Sequence, residues 1–205
     1  MHKMLLELPD RLETERLIIR PYQAGDGSAY YRLAQNNKAH LLPFEEGNPA
    51  LAIQTEKDAE ILMREFHAEW VCRNVFFVGG WEKATGTLVV QLVISVTHWD
   101  WRQFEIGYFV DKDHEGQGFV SEGVRAMLYF AFECLGAQRV SAGCNDTNVR
   151  SQHVIERSGF TREAHIRQSR CHIRCEDGTF SGDYHYGMLR AEYDRLPKPE
   201  LVCQP

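Results

Sequence analysis

Two short constellations in the 205-residue sequence carry residue types suited to chemistry. The first is Glu115-Gly116-Gln117-Gly118-Phe119-Val120, set between a β-branched and aromatic run at 104–110 and a helix-like stretch at 118–136. Glycines in a strand–loop–helix passage let main-chain N–H groups come close to an anion, and the unpaired donors and positive dipole end of the new helix favour it. The same spelling also suits an ordinary strand-to-helix turn. A Rossmann dinucleotide fingerprint fits less well, because Ser121 stands where that motif wants Gly or Ala and the upstream strands read as antiparallel. The second constellation runs Asn145-Asp146-Thr147-Asn148-Val149-Arg150-Ser151 and on to Gly159. Asn148 and Ser151 lie three apart, so one helical face can present an amide and a hydroxyl together. Taken alone it is simply a good helix start.

Other reactive residues argue for less. Cys171-His172-Ile173-Arg174-Cys175, with His165 and His185 nearby, invites a metal reading. On a strand, however, the two cysteines share a face about 13 Å apart, too far for one ion. No C-x-x-C pair supplies structural zinc ligands, and no metal is expected. Cys144 is expected to be inert packing rather than a nucleophile. The six cysteines have no framework spacing and read as free thiols of a reducing compartment.

The elements that must position these residues follow from period and punctuation. A first strand is expected at 17–21, stopped by Pro21, then a helix at 29–36 behind Gly25-Asp26-Gly27-Ser28, and a long surface helix within 50–73. Residues 75–78, 87–97 and 104–110 form an antiparallel meander. A helix at 118–136 buries Val120, Val124, Met127, Leu128, Ala131 and Leu135; a strand at 139–143 and a short helix at 148–158 follow. Strands at 160–174 and 183–189 close around an Asp177-Gly178 turn. Pro197, Pro199 and Pro205 bar regular structure from the end, so the chain divides into one domain at 1–195 and a tail at 196–205.

Composition excludes several classes. A hydrophobic fraction of 43% and a charged fraction of 25% are those of a globular domain. No apolar run approaches a membrane span, and the N-terminal residues turn acidic too soon for a secretory signal, so a cytoplasmic protein is expected with no membrane partner. Twenty-three basic against 29 acidic residues leave a net charge of −6, which opposes a nucleic-acid partner and suits an amine-bearing one.

Strand FEIGYFV, loop HEGQGFVSEG, helix VRAMLYFAFECLGAQRV and segment NVRSQHVIERSGF together resemble the GNAT superfamily of acyl-CoA N-acyltransferases. The resemblance is nearest to its RimJ/RimL branch, which acetylates N-terminal amines of ribosomal and other proteins, and the opening RLETERLIIRPYQAGD is similar to that branch too. It implies an α/β (α+β) fold: a single domain with a mixed, mostly antiparallel twisted sheet of about seven strands flanked by helices. It implies acetyl-CoA as acyl donor, its diphosphate on the main chain of Gly116, Gln117, Gly118, Phe119 and Val120, and its pantetheine along Phe109 and Val110. Asn148 and Ser151 match the cofactor-facing asparagine and the serine that acts as general acid. Glu115 stands where the family has a basic or amide residue, and Val120 where it has a small one.

That reaction needs a neutral amine and a proton for the departing thiolate. A lysine titrates near 10.4 and an α-amine at roughly 7.7–8.0, so only a modest base is needed for an α-amine. Glu105, in the strand that feeds the loop, is the candidate base and Ser151 the acid, with direct transfer in a ternary complex. A protein N-terminal α-amine is the expected acceptor; the alternatives are a small amine, such as a polyamine or antibiotic, and a non-catalytic CoA-binding module. Residues 36, 37 and 40–44, with the final hairpin, are expected to select the acceptor, and Tyr108 to be a core aromatic. The resemblance implies a monomer or homodimer.

Overall fold

The alternating β-branched and aromatic residues of the middle third form the centre of one sheet, which the computed structural model places among residues 2–45, 47–175 and 177–204, with backbone alone described at 171–174. Its strands are β1 (Arg11–Glu13), β2 (Leu17–Pro21), β3 (Val75–Glu82), β4 (Leu88–His98), β5 (Gln103–Val110), β6 (Arg139–Asn145), β7 (Thr161–Arg174), β8 (Phe180–Leu189) and β9 (Val202–Gln204). They lie in the order β7-β8-β6-β5-β4-β3-β2-β1-β9. Every neighbouring pair is antiparallel except β5 and β6.

Nine strands among the described residues replace the expected seven. The two additions, β1 and β9, are three residues each and pair with one another at Arg11 with Gln204, Leu12 with Cys203 and Glu13 with Val202. So short a strand carries no periodic signal, and the expectation of an irregular end was wrong at Val202–Gln204, because Pro197 and Pro199 precede the strand without interrupting it.

Helices cover both faces. Helix α1 (Gly27–Leu41) outruns the expected 29–36. The stretch at 50–73 divides into a 3₁₀ turn at Pro49–Ala52 and α2 (Glu56–Cys72), whose start is fixed by a reciprocal capping box between Thr55 and Asp58. Helix α3 (Phe119–Tyr129) continues as a π turn, Phe130–Cys134, and α4 (Val149–Arg157) and the single-turn α5 (Arg190–Tyr193) complete the set. One core joins α3 to the sheet through Leu92, Ile94, Phe104, Ile106, Val124, Met127 and Leu128; the other joins α1 and α2 through Tyr22, Tyr30, Leu33, Met63, Phe66 and Phe109. Each large apolar side chain so buried contributes about 1.5–3 kcal/mol. Along β5, Phe104 and Ile106 belong to the first core and Phe109 to the second, so odd and even positions face opposite sides.

Leu196 and Leu201 pack against the first core, and Lys198 Nζ stands 3.3 Å from the Tyr193 ring centroid. Removing residues 196–205 should therefore cost about 2 kcal/mol and lower the melting temperature by about 4–8 °C. A thermal melt of the truncated chain that matches the full chain would show the segment to be idle.

Candidate active site

Strands β5 and β6 run parallel yet pair only at Gln103 with Arg139, Phe104 with Val140 and Glu105 with Ser141. Beyond that point β5 stays with β4 as far as Val110, and β6 stays with β8 as far as Asn145. The two strands part like a wedge. A cavity of about 550 Å³ opens beside the gap, lined by Tyr108, Phe109 and Val110 of β5, by Gly116, Gly118, Phe119 and Val120 of the glycine loop and α3, and by Asn148 and Ser151 at the start of α4. Of the residues expected to act in catalysis or to hold the cofactor, Gln117 and Glu105 do not line it. Gln117 turns its side-chain amide onto the Asp113 carbonyl at 3.1 Å. Glu105 is exposed on the face of β5 opposite Tyr108.

The glycine loop adopts the backbone that only glycine takes without strain. Gly116 has φ 71° and Gly118 φ 84°, and a Cβ at Gly118 would also come within 3.4 Å of Arg16 Nη2. Gly118 is the N-cap of α3 and offers no side-chain oxygen, so the first amides of the helix have no side-chain cap. These are the donors an anionic group requires.

The loop is braced from the turn between β1 and β2 by contacts that no local sequence pattern announces. Glu122, 6% exposed, accepts hydrogen bonds from Thr14 Oγ1 at 2.5 Å, Arg16 N at 2.8 Å and Arg16 Nε at 2.7 Å. The same guanidinium donates to the Gln117 carbonyl at 2.8 Å and lies 4.5 Å from the Phe119 ring centroid. Burial alone would raise the Glu122 carboxyl, but the bonds from Thr14 and Arg16 outweigh it and hold the group below 4.5. From the other side, buried Asn37 donates to Asp111 Oδ1 at 3.1 Å and accepts from Lys112 N at 2.8 Å, while Asn36 donates to Asp111 Oδ1 at 2.5 Å. Asn36 and Asn37, expected to select an acceptor, instead tie α1 to the loop; His40, Leu41 and Phe44 do line the cavity.

Glu115 is held across the cavity mouth, 2.6 Å from His40 Nε2 and 2.5 Å from Arg150 Nη1. Its negative charge is thus met by a cation from α4. The turn into α4 is fixed by Asn145, 3% exposed, which donates to Ser181 Oγ and the Gly182 carbonyl and accepts from Thr147. Asn148 caps α4 by accepting from Ser151 N at 3.1 Å. That places Ser151 Oγ 3.1 Å from the Tyr108 hydroxyl. Tyr108 therefore packs on the core and also presents a polar end to the cavity; burial keeps its hydroxyl protonated well above the usual range. Cys144, 8% exposed, is pushed up to about 11 by burial, in spite of a hydrogen bond with Ser151, so its thiolate is scarce at neutral pH.

The side chains of Cys171 and His172 lie outside those described, while His165 is committed to Asp146 at 2.8 Å. Among the described residues no three His, Cys, Asp or Glu side chains converge as a metal site, and no helix is long and apolar enough to cross a membrane.

Residues 16–161 match the family model of the acetyltransferase (GNAT) domain, which is more than half of the chain. The chain belongs to the GNAT acetyltransferases. Members of this family draw acetyl groups from acetyl-CoA, and the curated relatives bear the corresponding names. The probable N-acetyltransferase YjcK of Bacillus subtilis (strain 168) is 41% identical over 64 residues, 31% of this chain and 35% of YjcK. The ribosomal-protein-serine acetyltransferase of Escherichia coli (strain K12) is 32% identical over 65 residues, 32% of this chain and 36% of that protein. This chain thus spans about a third of the length of each of those two. Among solved structures, RimL, a ribosomal alpha-N-protein acetyltransferase in complex with coenzyme A, superimposes with a TM-score of 0.73 at 18% identity, covering 86% of this chain and 95% of that one.

In this GNAT chain the Glu122 bonds tie the start of α3 to the N-terminal strands. A carboxyl held below its unfolded value contributes stability that is present above about 4.5 and lost as pH falls through the lower folded value. Glu122→Gln should cost about 2 kcal/mol at pH 7, and the gap to the parent should narrow as the pH falls below that value. Denaturant titrations at pH 7 and pH 3.5 check this; an equal gap at both would assign the loss to packing.

Proposed function

We propose that the chain moves an acetyl group from acetyl-CoA to a primary amine, with a protein N-terminal α-amine as the preferred acceptor, by direct transfer in a ternary complex. The observation that carries this reading is the single cavity that joins a glycine loop with free helix-start amides to Ser151 across the parting of β5 and β6. The residues fit such a donor. The amides at 116–120 suit a diphosphate, with Arg150 and His40 close by, and the unpaired edge of β5 at Phe109 and Val110 suits an extended amide-bearing arm.

Acetyl-CoA supplies the activated acetyl group as a thioester. Ser151 donates its hydroxyl proton to the departing sulfur, and the Tyr108 hydroxyl at 3.1 Å orients Ser151 Oγ and can return a proton to it. Glu105 approaches from the opposite face of β5 and takes the proton lost by the amine, through water. Cys144 takes no covalent part, since a thiol raised to about 11 is a poor nucleophile at neutral pH. The α-amine preference is supported by titration chemistry, because a far larger fraction of an α-amine than of a lysine is neutral near pH 7. It is supported also by the relatives named for ribosomal proteins.

Thiol release from acetyl-CoA should be fastest with N-terminal peptides and slower with lysine peptides and polyamines. Ser151→Ala should lower kcat by about a hundredfold, and Cys144→Ala should turn over near the parent rate. Fastest turnover of polyamines would make the chain a small-amine acetyltransferase. No turnover of any amine with CoA binding intact would make it a binding module.

A further inference from the structure

The cavity holds two carboxylates, and the structure treats them differently. Glu115 is paired with His40 and Arg150. Glu45, which lines the same cavity with Phe44 and Tyr108, has no cation within salt-bridge distance among the described residues. Its position is built. The chain leaves α1 in a tight turn in which Phe44 N and Glu45 N both donate to the Leu41 carbonyl, at 2.9 and 2.8 Å, and Asn48 N donates to the Glu45 carbonyl at 2.8 Å. The Asn48 side chain then holds Glu45 Oε2 at 2.7 Å, while its own Oδ1 accepts from Ala50 N at 3.0 Å and starts the next 3₁₀ turn. Oε1 has no protein donor among the described residues. A carboxylate fixed by one oxygen, reachable from the cavity and without a counter-ion among the described residues is an open site for a cation.

We propose that Glu45 is the residue that docks the incoming acceptor as its ammonium form, and so selects primary amines that carry a positive charge at the reacting end. The assignment rests on the transfer reaction proposed above and adds to it the group that recognises the acceptor. It divides labour between two acids: Glu45 holds the amine beside the acyl end of the cavity, and Glu105 removes the proton before attack. The groups facing Glu45 agree with this. Tyr30 of α1 and Tyr108 of β5 are neutral hydroxyls whose titration its charge pushes further up. Arg170 of β7 is the cation that acts on it from a distance, and that guanidinium is bound to Asp183 by two contacts of 2.9 Å. His40 shares the cavity wall but is engaged by Glu115. Glu45 is open to solvent, yet crowding by the atoms around it raises its carboxyl above the usual range, and the bond from Asn48 and the charge of Arg170 offset part of that. Docking should therefore weaken as the pH falls through this raised value, at a pH where an ordinary surface carboxylate is still charged.

Steady-state kinetics of the full chain with an N-terminal peptide, read alongside calorimetry with CoA, test the assignment. Glu45→Gln should raise the acceptor KM by about tenfold with the loss falling on KM rather than kcat, Glu45→Asp should recover part of it, and CoA affinity should match the parent, which also shows that the variant is folded. The parent's acceptor KM should climb on mild acidification, and this climb should be absent in Glu45→Gln. A loss confined to kcat, or an unchanged acceptor KM, would overturn the docking role while leaving the transfer reaction in place. Failure of the parent itself to acetylate any amine would overturn the transfer reaction and the docking role together.

Discussion

Everything in the site depends on where β5 and β6 stop pairing. Two parallel strands in register would satisfy one another's backbone groups along their length, as main-chain donors and acceptors require. Here the register ends at Glu105 with Ser141, while β5 stays paired with β4 as far as Val110 and β6 with β8 as far as Asn145. The main-chain groups of β5 from Ile106 to Val110 that point towards β6 therefore border a gap. An extended ligand with amide groups can complete that edge, and the gap lies between the glycine loop and Ser151.

The parting would be of little use if the loop beside it were free to move. Three separate polar contacts prevent that. Glu122 locks the first turn of α3 to Thr14 and Arg16, Asp111 is gripped by Asn36 and Asn37 from α1, and Glu115 joins His40 to Arg150 across the mouth. The first two are buried or nearly so, where an unmade bond is costly, and they hold the loop backbone in one conformation. The third is at the surface and can open when a phosphate competes for Arg150. A rigid backbone cradle with an exchangeable ion pair at its entrance is a consistent arrangement for a charged donor that must enter and leave.

Much of this was legible in the sequence because it rests on local rules. Gly116 and Gly118 sit at positive φ, Asn148 caps its helix, and β3 to β5 form the expected meander. What was not legible rests on long-range partners. Thr14 and Glu122 are 108 positions apart, Asn37 and Asp111 are 74 apart, and β9 is a strand only because it meets β1. Tyr108 read as core because its ring is core; its hydroxyl found Ser151 across the cavity, 43 positions away. Glu105 was drawn to the site by its place in the strand, but alternation turns its side chain to the opposite face. Glu45 had no pattern around it at all, and its interest comes from a turn that leaves it without a counter-ion among the described residues.

The transfer reaction proposed for this chain requires main-chain amides around Gly118 and along the outer half of β5 to grip a thioester carrier. Amide hydrogen exchange, followed residue by residue with and without desulfo-CoA, tests it most directly. Exchange should slow at residues 116–120 and at 109–110, with the α1 and α2 face little changed. Slowing elsewhere with none in those two segments, or no slowing anywhere at saturating ligand, would contradict it.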